Sequence, residues 1–471
     1  MKKLLLFFLI GFSLNTGHSQ CFSASSFGIL DVNNIKARFN TGGRLFNDGF
    51  DPVFIPKILP NVTNPPSTVF SASVWLGGIT PAGDIKLTTV TYNGFGGLAA
   101  GPLMEDGSTD NLTCQRWDRV FKVKGVDIQS FIEAMPLTQT DAIAQYPSIM
   151  GWPALGNPYF ATVHGFSLPA NNSPLAAFND ADQDGLYDPL KGDFPVVKLR
   201  DRDQFVPEEI LWSVANSVGT SNNILGTTIM EIQLTAWAFN CPEQDILYNT
   251  VFTSHKLISR EDEPLDSFYI ALWVDPDLGC FMDDYMGCNP ALSTAFMYNQ
   301  DAVDDEPECQ GLAVFGNFPP IQSITVLNRP MEKFILPNNP GYGNPIPGTT
   351  DPFTVQEYYN YLTGSWRDGS PLTFGGEGYG GTMPTDHAFP DNPSNANGWS
   401  MCTSNTPKSD RRFVTSSKLG TMNPGQVEEM TVAWTVHPKT PGLCSIGQSL
   451  NEVANIRDEF DISFDNTCSP V

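Results

Sequence analysis

The stretch from Thr227 to Phe239 constrains the fold most. Met230, Ile232, Leu234, Ala236 and Ala238 fall on one face, and Glu231, Gln233 and Thr235 on the other. A period of two is the pattern of a β-strand with one face toward a core. Residues 249–258 read as a second strand and Asp266 to Val274 as a third. Their links carry turn formers, Cys241-Pro242 and then Ser259-Arg260-Glu261-Asp262-Glu263-Pro264. Three strands joined this closely predict an antiparallel meander in a sandwich. A last strand is expected over Val427 to Val436. Earlier, Ser71 to Ile79 runs into a tight turn and Asp84 to Tyr92 returns, a hairpin with Trp75 and Tyr92 as core or cross-strand partners.

Composition agrees. The 471 residues hold 41 Gly and 38 Pro with only 16% charged side chains, which favours turns and strands over long helices. The expected class is all-β: antiparallel sandwich-type sheets, long ordered loops and one or two short helices. Residues 20–175 form an N-terminal β-rich region whose part from 140 to 175 is loop-rich. Residues 206–471 form the sandwich region, with a long loop insertion over 306–410. That insertion carries Trp366, Phe374, Tyr379, Phe389 and Trp399, which need burial. One helix is expected over Val355 to Leu362. Another is expected at about 446–460, behind a capping box at Ser445-Ile446-Gly447-Gln448.

Residues 176–205 hold the clearest site. In Asp180-Ala181-Asp182-Gln183-Asp184-Gly185-Leu186-Tyr187-Asp188, carboxylates alternate with other residues and a glycine follows the third. Alternation lets one tight loop turn Asp180, Asp182 and Asp184 inward. Gly185 permits the bend, and the carbonyl of Leu186 can face the same centre. Oxygen ligands alone in this order suit a hard cation, calcium above all. Position twelve, counted from Asp180, is Lys191 rather than the bidentate glutamate of an EF-hand, so the loop is closer to those of thrombospondin type 3 repeats and dockerins. The expected ligands are Asp180, Asp182, Asp184, Leu186, Asp188 and Asp193. Aspartate and asparagine also favour plain turns. Magnitude separates the two readings, because two carboxylates about 4 Å apart repel by roughly 4 kcal/mol at an effective dielectric near 20. Converging carboxylates need a counter-ion.

Acidic residues outnumber basic ones 51 to 26, a net charge of −25. Nucleic acids and anionic membranes call for a basic footprint and are excluded as partners. Lys2, Lys3, the apolar run Leu4 to Leu14 and Gly17-His18-Ser19 predict a signal peptide over 1–19. The mature chain is expected to be secreted or on the cell surface, with no transmembrane segment. Nine cysteines in an exported chain predict disulfides, with at least one thiol left over. Cys280 and Cys288 are close enough for a local bridge. No CxxC pair points to zinc.

Asp275, Asp277, Asp283 and Asp284, with Asp301, Asp304 and Asp305 downstream, are a second place for a cation. Paired carboxylates there also admit glycoside hydrolysis. Tyr358 to Gly381, aromatic and glycine-rich, reads as loop packing, with a sugar-binding face as the alternative. Nucleophilic catalysis finds little: no GxSxG elbow and no HExxH helix, with Thr385-Asp386-His387 the nearest thing to a triad fragment. His255, inside an alternating strand, reads as structural.

Ala37-Arg38-Phe39-Asn40-Thr41-Gly42-Gly43, Ser73-Val74-Trp75-Leu76-Gly77-Gly78, the aspartate loop, Trp273 to Gly279 and Tyr358 to Gly381 together resemble the N-terminal region of large exported proteins of Bacteroidota. Those proteins usually end in a type IX secretion sorting domain. The resemblance spans most of residues 35–465 and implies an exported, often surface-attached protein without assigning it an activity. The sequence stops at Cys468-Ser469-Pro470-Val471, soon after the expected helix, with no room for a sorting domain, so a truncated or stand-alone version, or another export route, is expected. A non-enzymatic structural, adhesive or assembly module is thus expected, with cell-surface or secretion-associated proteins, or glycans, as partners. A secreted carbohydrate-binding module or glycoside hydrolase is the alternative.

Overall fold

Alternating burial assembles the strands into two large facing sheets. The computed structural model describes residues 21–91, 97–169, 174–219, 226–438 and 442–465. In chain order the strands are β1 (Phe27–Leu30), β2 (Ile35–Asn40), β3 (Phe54–Pro56), β4 (Ser71–Ile79), β5 (Ile85–Thr88), β6 (Ala99–Ala100), β7 (Phe121–Lys124), β8 (Phe178–Asn179), β9 (Phe194–Pro195), β10 (Glu209–Asn216), β11 (Met230–Ala238), β12 (Thr250–Ser259), β13 (Leu265–Asp275), β14 (Asp284–Asn289), β15 (Thr294–Asn299), β16 (Ile321–Val326), β17 (Lys333–Ile335), β18 (Phe413–Met422) and β19 (Val427–His437). A nine-stranded sheet runs β14-β15-β16-β19-β12-β11-β10-β6, with β7 also on β10. A five-stranded sheet runs β17-β18-β13-β4-β5. Their pairings are antiparallel. Strand exceeds helix by 31% to 16%, so the class is all-β and sandwich-like, as expected.

The hairpin of β4 and β5 forms as read from sequence. So does the pair β11–β12, with Leu234 opposite His255. The meander then breaks. The free edge of β12 is taken by β19, and β13 crosses to the other sheet, between β18 and β4. Nine of its eleven residues are buried, on both faces. Such a strand needs a neighbour at each edge and cover above and below, which a sheet centre supplies.

Met230, Ile232 and Leu234 of β11 and Val432 and Trp434 of β19 share a core with Ile270 and Leu272 of β13. The opposite face of the nine-stranded sheet carries Trp212, Trp237 and Phe252, which share a second core with Phe131, Trp152, Phe160 and Phe460. The polar face of β11 is therefore buried too. Glu231 accepts from Leu103 N at 3.0 Å, and Gln233 donates to Glu231 and to the Pro174 carbonyl at 2.8 Å each.

Short helices build this second layer: Asn111–Trp117, Gly125–Ala134, Gln139–Gln145, Pro147–Met150, Phe160–His164 and the C-terminal Ser449–Asp461. The segment from 140 to 175 had read as loop. Helices below about 12 residues are marginal by propensity alone, so packing on the sheet holds them and their sequence period is too brief to register. The expected capping box at Ser445–Gln448 does not form. Gly447 has φ +53°, outside helical geometry, and the Ser445 hydroxyl accepts from Gly447 N at 3.1 Å instead. The helix Val355–Leu362 does form, with a capping box from Thr354 and Glu357. Its Tyr358 packs edge-on to Trp75 at 5.1 Å between centroids. This helix thus covers the five-stranded sheet, whereas Phe389 lies against β14 of the other sheet, its carbonyl accepting from Cys288 N at 3.2 Å.

Disulfides join Cys21 to Cys114, Cys280 to Cys309 and Cys402 to Cys444, and Cys241 is disulfide-bonded as well. The expected Cys280–Cys288 bridge is absent. Extended backbone from Asp284 to Cys288 carries that thiol about 13 Å along β14, where it is buried and free beside the Ala388 carbonyl. The signal peptide and Tyr92 lie outside the described residues. Among the described residues, no helix is long and apolar enough to cross a membrane.

His255 carries a testable consequence. It is buried in β12, and burial lowers its imidazole to about 4. The unfolded chain takes up this proton near pH 6.5 and the folded one only near 4. Stability from this group is therefore lost as pH falls through that window, by about 3 kcal/mol. Buried aspartates act in the opposite sense, so the readout is a difference. Urea midpoints at pH 7 and 4.5 should fall less for His255→Leu than for wild type. Equal falls would refute the buried neutral imidazole.

Candidate metal centre

The aspartate loop hangs from the two-stranded ladder of β8 and β9, which pairs Phe178 with Pro195 and Asn179 with Phe194. Tyr187 anchors it: the ring is buried against Phe178, and its hydroxyl donates to the Ile149 carbonyl at 2.9 Å. Gly185, at φ +78°, supplies the bend. Asp180 then accepts from Asp184 N at 3.2 Å and from Gly185 N at 2.9 Å. Asp193 is fully buried and brackets the loop, accepting from Ala181 N and Asp188 N at 2.8 Å each.

These bonds bring three of the expected ligands together. Asp180, Asp182 and Asp193 each present an oxygen within 4.8 Å of the others. Burial raises the Asp193 carboxyl, its backbone donors oppose this, and the charges of Asp180 and Asp182 raise it further. The remaining expected ligands have other engagements. Asp188 accepts from Leu190 N at 3.1 Å and caps a short 3₁₀ turn. Leu186 donates its N–H to Asp184 at 2.8 Å, a bond that leaves its carbonyl, the expected ligand, unaffected.

Lys191 was read only as the wrong residue for position twelve. In the structure it is a local counter-ion, its ammonium 2.9 Å from Asp184 and 3.2 Å from Asp182. That contact lowers the Asp184 carboxyl. An exposed pair of this kind contributes little. One ammonium also faces five loop carboxylates: Asp180, Asp182, Asp184, Asp188 and Asp193. The donor set, all oxygen with an excess of negative charge, could hold a metal ion.

A second acidic region lies where β13 passes into β14. Asp275, Asp277 and Asp410 offer oxygens within 4.8 Å of one another, and so do Asp283 and Asp304. Arg412 serves the first group. It is buried 3.2 Å from Asp275 and 3.2 Å from Asp410, with Asp351 at 3.9 Å. Burial still pushes Asp275 up to about 8 against the pull of Arg412. Burial, reinforced by Asp304, pushes Asp283 up to about 7. Asp304 rises to about 6 through burial, although the backbone N–H groups of Phe315 and Cys280 hold it down.

Catalytic arrangements fare worse. The Ser323 hydroxyl lies 2.8 Å from His437 Nε2, and His437 Nδ1 meets Glu452, a Ser–His–Glu chain that the sequence did not suggest. Ser323 is only 1% exposed in the middle of β16, however, and His437 4%. A nucleophile must reach its substrate, so this chain is a core network. Asp386 pairs with Lys333 at 2.5 Å, and the ring of His387 with the Met331 carbonyl at 2.9 Å, so Asp386-His387 is no triad fragment. Tyr358, Tyr359, Tyr361, Trp366 and Trp399 are buried, which leaves Phe374, 45% exposed, and half-buried Tyr379 as the aromatic surface of this stretch.

Compared with known proteins, the chain matches no family model and no curated sequence.

Proposed function

We propose that this chain is an exported structural module, adhesive or architectural in role, whose aspartate loop is pinned by calcium. The carrying observation is the convergence of Asp180, Asp182 and Asp193 in a loop closed by β8 and β9. Disulfides suit an oxidising exterior, and a net charge of −25 suits a divalent-rich medium. The burial of Tyr358, Trp366, Trp399 and Ser323 supports a non-enzymatic role over a sugar-active one. The resemblance to exported Bacteroidota proteins points the same way. Extracellular sites of this kind bind calcium at roughly 0.1–1 mM.

Proteolysis tests the loop. A lysine-specific protease should cut at Lys191 in chelator and be slowed at least tenfold in 10 mM calcium. Asp180→Asn with Asp182→Asn keeps one acceptor oxygen on each side chain and removes two charges, so this variant should be cut equally in both conditions. Equal cutting of the wild type with and without calcium would end the proposal.

A further inference from the structure

Asp283 and Asn299 sit at the end of the hairpin β14–β15. Asp283 is 1% exposed, and neither carboxylate oxygen has a well-formed hydrogen bond. Asn299 lies beside it. Its amide nitrogen faces Asp301, but its amide oxygen, on a residue 6% exposed, has no partner. Asn299 pairs with Asp284 across the hairpin, and Asp284 Oδ1 is likewise buried and without a partner. Four acceptor oxygens here, both of Asp283 with Asp284 Oδ1 and Asn299 Oδ1, lack a well-formed hydrogen bond, although the Asn299 amide neighbours Asp283 and Leu278 N donates to the other Asp284 oxygen.

Asp304 completes the set. It is fully buried within 4.8 Å of Asp283. Its oxygens accept from Cys280 N at 2.8 Å and from Phe315 N, and each keeps a lone pair. A Cβ at Gly279, which has φ +77°, would collide with Asp304 Oδ2, so the glycine lets the carboxylate lie against the backbone. The Cys280–Cys309 disulfide holds this turn, and the Cys280 sulfur is therefore no thiolate ligand. The strongest charges acting on Asp283 and Asp304, beyond each other, are the carboxylates of Asp301 and Asp305. Both lie on an exposed turn, which gives an ion its way in.

We propose that Asp283, Asp304 and the amide oxygen of Asn299 form a second centre for a hard divalent cation of the calcium class, with Asp284 Oδ1 as the next donor. Buried acceptors are otherwise partnered as a rule, and an all-oxygen set of this charge selects calcium or magnesium over softer metals. The centre is separate from the aspartate loop and does not depend on that loop binding an ion.

Equilibrium dialysis of the full chain with calcium, after chelator stripping, tests this. Wild type should bind two ions. Asp283→Asn, which keeps shape and removes charge, should lose one or weaken it at least tenfold. It should also melt higher than wild type in chelator, because a buried charge is gone. Asn299→Ala should weaken the same ion while its chelated stability stays low. Asp180→Asn with Asp182→Asn should lose the other ion and keep this one. Unchanged ion count and affinity in both Asp283→Asn and Asn299→Ala would overturn the second centre. A single wild-type ion, lost in the loop variant alone, would overturn it and leave the loop standing.

Discussion

Replacing Arg412 by methionine should destabilise the protein by about 3–5 kcal/mol. Arg412 is buried with Asp275 and Asp410, each 3.2 Å away. Methionine fills much of the volume but leaves carboxylates in the interior without their cation. A buried pair adds little net stability over an apolar isostere, whereas removing one partner strands the other. The cost should depend on pH in a defined direction. Asp275 already rises to about 8, and without Arg412 it rises further. At pH 5 the Asp275 carboxyl is protonated and the penalty shrinks, whereas at pH 8.5 it is largest. Urea unfolding of Arg412→Met at both pH values measures this. Adding Asp275→Asn should restore part of the loss. A loss below about 1 kcal/mol at pH 8.5 would show that the group is solvated rather than buried.

The second large effect belongs to Trp434→Ala, expected to cost about 3–5 kcal/mol. Trp434 is fully buried in β19. Its ring meets Phe46 edge-on at 4.7 Å and its Nε1 donates to Thr253 Oγ1 at 3.0 Å. Truncation opens a cavity against the covering layer and leaves the hydroxyl without its donor. Trp434→Phe should cost less, since it keeps most of the volume and loses only the bond. Chemical denaturation of both variants orders them. A near-neutral Trp434→Ala would mean that this face of β19 is not covered by the segment holding Phe46.

Legibility in the sequence followed the range of the interaction. The strand β11 could be read because its period of two is local, and so could the helix Val355–Leu362, although its Thr354–Glu357 box went unread. The crossing of β13 could not, since no local pattern states which sheet edge a buried strand will join. The partner of Cys280 failed for the same reason: Cys288 is nearer in sequence, yet an extended strand removes it. At the aspartate loop, alternation pointed to Asp180, Asp182 and Asp184, with Asp188 and Asp193 added as later acids, and the structure gathers Asp180, Asp182 and Asp193. Asp184 and Asp188 lie outside that group of three, Asp184 beside Lys191 as Asp182 is and Asp188 capping through Leu190 N. The amide of Asn299 had no signal at all, because only the hairpin β14–β15 carries it to Asp283. The chain of Ser323, His437 and Glu452 was invisible likewise, joining two strands and a helix from distant parts of the sequence.

Thermal unfolding of chelator-stripped wild-type protein across a calcium titration, with magnesium alongside, tests the central claim most directly. A folded-state site adds about 2.7 kcal/mol when free calcium reaches a hundred times its dissociation constant. The melting temperature should therefore climb steadily with calcium and much less with magnesium. Coincident unfolding at every calcium concentration would contradict the account and reduce the aspartate loop to a turn held by Asp193 and Lys191.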